Sequence, residues 1–139
     1  MSSSLAVNSQ PATGRLRIIA YWTVTVLISF ELVNGALWDL NLLNKGYVYG
    51  VLRHLGYPTY LGTMLGVCKL AAAGVFLVPG ARLLKEWAYT GIVILFSAAF
   101  VSHVIVGDGA GVFIWSLLFS MLTILSWALR PQNRKLMQR

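Results

Sequence analysis

Glu31, Lys69 and His103 each lie inside a different long apolar stretch of this chain. An ionisable side chain near the centre of a bilayer costs several kcal/mol unless it is paired or wetted, so such residues turn toward the bundle interior and often mark function. Together an acid, a base and a histidine can do proton chemistry. Glu31 or His103 can take or give a proton, while Lys69 holds a ligand oxygen or tunes Glu31. Histidine suits that work because its unperturbed pKa lies near neutrality. Asp108 follows His103 by five residues, where it either orients the imidazole or caps a turn. The candidate catalytic groups are therefore Glu31, His103 and Asp108, with Lys69 as a ligand-binding cation. A purely structural reading stands beside this one. Glu31 and Lys69 can form a buried ion pair that fixes helix register, with Asn34 adding a hydrogen bond.

Other chemistries find less support. His54 lies in a loop beside Arg53 and reads as solvated or interfacial. A bis-histidine haem would require His54 and His103 to face each other. A zinc site from His54, His103 and Asp108 matches no local zinc motif. Cys68 is the single cysteine, so the chain has no intramolecular disulfide or C-x-x-C pair, and Cys68 itself reads as a packing residue.

The elements that must position these groups are membrane spans. Only 11% of the 139 residues are charged, against about 25% in a soluble domain, and mean hydropathy is +0.72. Four segments, about 17–38, 59–78, 86–106 and 111–129, approach the ~20 apolar residues that cross a bilayer. Residues 1–14 read as a flexible tail, 15–131 as one four-helix domain and 132–139 as a basic tail. The fold expected is an all-α membrane protein, an antiparallel up-down bundle. Arg15, Arg17, Arg82, Lys85, Arg130, Arg134, Lys135 and Arg139 fall on one side, against Lys45 and Arg53 on the other. That asymmetry places both termini in the cytoplasm, and it explains the net charge of +7 without nucleic acid. The long loop 39–58 then faces outward.

Polar and small residues recur at helical spacing, as they do on faces turned toward neighbouring helices. The stripes are Leu27, Glu31, Asn34 and Trp38; Gly62, Gly66, Lys69 and Ala73; Phe96, Ala99, His103 and Gly107; and Ser116, Ser120, Thr123 and Trp127. At 1.5 Å per residue, Glu31 lies roughly 10 Å and Lys69 roughly 15 Å below the outer ends of their helices. His103 lies within roughly 5 Å of its own. These depths suggest one outward-opening pocket with Lys69 at its floor, Asp108 at its rim and a wall of Trp38, Phe96, Phe100 and Trp115.

Several phrases in order along the chain resemble the DoxX-like family of small four-helix membrane proteins. They are His54-Leu55-Gly56-Tyr57-Pro58, Leu65-Gly66-Val67-Cys68-Lys69-Leu70, Val78-Pro79-Gly80, Leu84-Lys85-Glu86-Trp87-Ala88-Tyr89-Thr90-Gly91, and Ser102-His103 with Val106-Gly107-Asp108. The resemblance implies a single bundle in a bacterial-type cytoplasmic membrane, and it sets Glu31, Lys69, His103 and Asp108 at motif positions. The wider group includes a subunit of a thiosulfate–quinone oxidoreductase and membrane partners of redox-defence enzymes. Three functions follow as expectations. The first is a pocket for a quinone-like or other apolar carbonyl compound in a redox or detoxification process. The second is an acid/base enzyme, an isomerase or hydrolase of a hydrophobic metabolite. The third is a non-catalytic subunit of a membrane oxidoreductase or a homo-oligomer, joined through Gly62 and Gly66 or an unused stripe of the fourth helix.

Overall fold

Backbone N–H and C=O groups cannot be left unpaired in hydrocarbon, so each apolar stretch must satisfy its own as a helix. The computed structural model describes residues 12–43 and 45–136, and every regular element among them is helical. They are α1 (Ala12–Asp39), α2 (Tyr47–His54), α3 (Tyr60–Leu77), α4 (Arg82–Ile105) and α5 (Ala110–Leu129), then a short 3-10 turn, Gln132–Arg134. Helices α1, α3, α4 and α5 are long and apolar enough to span a membrane. The expected four-helix fold stands.

Its edges differ from the expected ones. Helix α1 begins at Ala12, inside the stretch read as a tail, and ends at Asp39; residues 1–11 of that tail lie outside the described residues. The outer loop carries the extra helix α2. Within the basic tail, Arg134 is buried and donates to the Phe76 carbonyl at 2.9 Å. Residues 137–139 lie outside the described residues.

Helix α1 is the hub, packed along both α3 and α5, while α4 packs chiefly on α5. Its buried face is Tyr21, Thr25, Ile28, Leu32, Ala36 and Asp39. The expected stripe was rotated from this face. Leu27 is exposed, and Glu31, Asn34 and Trp38 flank the seam. On α5 the buried polar residues are Ser120, Thr123 and Ser126, whereas Trp127 is exposed. On α4 the expected stripe is buried at Phe96 but reaches the surface at Gly107. Ile28, Leu32, Ala73, Phe76, Tyr89 and Phe96 form the middle of the core. Within it, Ser126 shares hydrogen bonds with Thr25 at 2.7 Å and Tyr89 at 2.8 Å, joining α1, α4 and α5.

The Gly62-x-x-x-Gly66 pair is spent inside the chain. A Cβ at Gly66 would lie 2.8 Å from Leu40 Cγ and 3.2 Å from the Ala36 carbonyl oxygen, and one at Gly62 would lie 3.2 Å from the Asp39 carbonyl oxygen. The expected intermolecular seam is therefore the α1–α3 contact itself. Gly66→Leu should destabilise the isolated protein by about 1–3 kcal/mol through overpacking. Gly74→Ala, where a Cβ meets nothing within 4 Å, should not. Equal unfolding midpoints for the two variants in detergent would contradict this packing.

Candidate functional site

The last turns of α1 place Glu31, Gly35 and Asp39 at i, i+4 and i+8, along one side of the helix. Opposite them, Lys69 projects from α3 and its ammonium contacts Asp39 Oδ2 at 2.7 Å. Gly35 makes the room: a Cβ there would stand 3.2 Å from Lys69 Nζ. This corrects the expected pairing, for Lys69 takes Asp39 rather than Glu31. The helix runs one residue past the segment 17–38, so Asp39 belongs to the bundle and not to the loop. A lysine stem also bends its charge toward the nearer helix end, and Asp39 lies at that end. Glu31 is left half-buried on the same wall without an ion pair among the described residues.

The second polar group forms where α4 turns into α5. Gly107 has φ +80°, a left-handed conformation that ends α4. The Asp108 N–H then donates to the His103 carbonyl at 3.0 Å. That turn brings the Asp108 carboxylate back onto His103 Nδ1 at 2.6 Å. Its other oxygen meets His54 Nε2 from α2 at 2.8 Å. Asp108 thus bridges two histidines, and His54 is a tie between α2 and the α4–α5 turn rather than a merely solvated residue. Beside it, the Tyr57 and Ser102 hydroxyls lie 2.9 Å apart. With Nδ1 committed to Asp108, Nε2 is the His103 nitrogen left for other chemistry. The two histidines address different oxygens of one carboxylate. Among the described residues no three His, Cys, Asp or Glu side chains converge as a metal site.

Between these groups lies a cavity of about 970 Å³, at the upper end of the ~300–1,000 Å³ of small-molecule sites. Helices α3 and α4 form its long walls, α2 covers one end, and α5 contributes Trp115, Ser116 and Phe119. Glu31, Lys69, His103, Phe96 and Trp115 all line it. Four expected residues do not. Asn34 is outside the lining, Trp38 meets Tyr47 edge-on with centroids 5.4 Å apart, Phe100 meets Phe113 likewise at 5.4 Å, and Asp108 stands outside the lining, between His103 and His54. Asp39, Tyr57 and Ser102 are lining residues that sequence reasoning missed. For Asp39 the i+8 spacing from Glu31 was the available signal.

The His103 and His54 hydrogen bonds hold the Asp108 carboxyl below the usual carboxylate range, that of His103 most strongly. A depressed carboxyl contributes stability that is fully present above its unfolded value, about 3.9, and is lost as pH falls through the lower folded value. Asp108→Asn should accordingly be less stable than wild type at neutral pH, and the two should converge in acid below about pH 4. Parallel melting curves across that range would show that the bridge contributes nothing.

Comparison with curated proteins gave no match, and comparison with solved structures gave none. The model of the DoxX-like family does match, over residues 23–126. That stretch runs from the buried half of α1 to Ser126 of α5 and contains Lys69, both histidines and the whole cavity lining. On that match the chain belongs to the DoxX-like family.

Proposed function

We propose that the protein holds a small, mostly apolar molecule with an uncharged oxygen, a quinone-like or other carbonyl compound, in the cavity between α3 and α4. It serves a redox or detoxification process in a bacterial-type cytoplasmic membrane. Its termini face the cytoplasm, a reading supported by the Lys and Arg asymmetry. The observation that carries the ligand reading is the cavity: apolar along most of its wall, with Lys69, Glu31, Asp39 and His103 gathered on the lining. A few convergent polar groups in an apolar hollow are what such a ligand needs. Lys69 has three N–H donors, and Asp39 engages the ammonium from one side. The remaining donors hold the ligand oxygen, while Glu31 and His103 move protons to or from it. In nanodiscs, wild type should bind a panel of quinones and apolar carbonyls, and Lys69→Met should weaken binding by roughly tenfold or more. Gly35→Ala, which displaces the ammonium without removing it, should give a smaller loss. Equally poor binding by wild type and Lys69→Met would sink the proposal.

The Asp108–His103 contact favours a second reading, an acid/base enzyme. A carboxylate on Nδ1 fixes the imidazole and leaves Nε2 as the proton carrier. This reading predicts turnover of a bound carbonyl compound with a pH profile set by His103. A profile unchanged in His103→Asn removes it.

A further inference from the structure

We infer that the cavity is a lateral groove for a single-chain lipid with an uncharged oxygen head. The head sits at Lys69 and Glu31, and the tail runs between α3 and α4 toward Leu84. The inference rests on the proposed ligand site and adds to it the tail, its direction and its entry from the bilayer.

Length is the first reason. The lining extends along α4 from His103 to Leu84, roughly 28 Å at 1.5 Å per residue. Lys69 stands midway along α3, so half of that length, about 14 Å, runs on from the head toward Leu84, and a compact ring compound held at Lys69 would leave that half empty. Polarity is the second. Past Lys69 toward Leu84 the walls are Ala72, Val75, Ala88, Gly91 and Leu95, with no ionisable group. The open side is the third. Trp87 and Ile94 line the cavity and are also 65% and 62% exposed, so the groove opens onto the surface that meets lipid.

Charge selects the head. The single positive charge of Lys69 already faces Asp39 at 2.7 Å, with Glu31 on the same wall. No surplus positive charge is left for a phosphate or carboxylate head. A hydroxyl or carbonyl can accept from Lys69, and a hydroxyl can also donate to Glu31. One chain fits better than two, because α3 and α4 are tied together at both ends of the groove. Tyr57 and Ser102 close one end, and Lys85, donating to the Val75 and Val78 carbonyls, closes the other.

The test uses hexadecanol and hexanol carrying a photoreactive diazirine at the tail end, with the full chain in nanodiscs and labelled residues mapped by mass spectrometry. The hexadecanol probe should label Leu84 and Trp87, and the hexanol probe should label near Leu95. Both should be displaced by unlabelled hexadecanol but not by palmitate. Labelling at Phe30, exposed on α1, should not be displaced. Gly91→Leu should fold, since Gly91 is exposed and a Cβ there meets nothing within 4 Å. It should lose hexadecanol labelling at Leu84 and Trp87 while keeping hexanol labelling.

Undisplaced labelling at Leu84 and Trp87, or labelling there that survives Gly91→Leu, overturns the groove. Equal competition by palmitate overturns the uncharged head. A Cys68–Cys68 disulfide between copies that blocks labelling makes a second copy the occupant, and overturns the lipid. Hexanol labelling that is itself undisplaced removes the ligand site beneath the proposal; displaced hexanol with undisplaced hexadecanol removes the groove alone.

Discussion

The ammonium of Lys69 has to find a partner inside the protein, because lipid offers none. It finds Asp39 only because α1 and α3 approach so closely. Gly62 and Gly66 let the α3 backbone ride against the last turns of α1, and Gly35 leaves a hollow for the lysine head. Three glycines and one ion pair thus form a single device. Between helices in lipid there is little hydrophobic drive, so close packing and polar contacts hold them together.

The same logic locates the cavity. Polar contacts join α1 to α3 through Lys69 and Asp39, and join α1, α4 and α5 through Thr25, Tyr89 and Ser126. Ser97 and Ser120 add a second α4–α5 link at 3.0 Å. Among the described residues, α3 and α4 share no such link in their middle. Their ties lie at the ends: Tyr57, in the turn before α3, to Ser102 at one, and Lys85 to the Val75 and Val78 carbonyls at the other. Two helices fastened at both ends and unfastened between them leave a slot. Lys69 opens into that slot at the level where α1 supplies two carboxylates.

The spans were legible because lipid imposes a length and a composition on any helix that crosses it. Stripes on α3 were legible too, since Gly62, Gly66 and Ala73 are small for one reason, close approach. What stayed hidden depended on boundaries and distant partners. One residue of helix length decided whether Asp39 was loop or site. Helix α2 has eight residues with Gly50 in the middle, too short to show a period. The His54 bond to Asp108 spans 54 positions, and nothing local to either residue announces it. On α1 the acidic residue drew the inward stripe toward itself, whereas the apolar Ile28, Leu32 and Ala36 set the true face.

Opposite α2, the basic residues that indicate topology also do structural work. Helices α3 and α5 both end there, and helix C-termini carry unpaired carbonyls and partial negative charge. Arg17 donates to the Ala128 and Leu129 carbonyls, Arg134 to those of Phe76 and Leu77, and Lys85 to those of Val75 and Val78. Arg130 pairs with Glu86 at 2.7 Å and lies over the Tyr89 ring. Apart from Arg130 Nη1, the buried cationic nitrogens at this end have partners, and they are partners that any four-helix protein with exposed C-termini would need to supply. At the α2 end the balance differs. Lys69 and Asp108 are engaged, but Glu31 and the Nε2 of His103 keep unused hydrogen-bonding capacity beside a hollow. Polar groups with capacity to spare inside a membrane are expensive to maintain. The cations of one end are spent on helix C-termini and a carboxylate, whereas Glu31 and His103 Nε2 at the other keep their capacity beside the hollow.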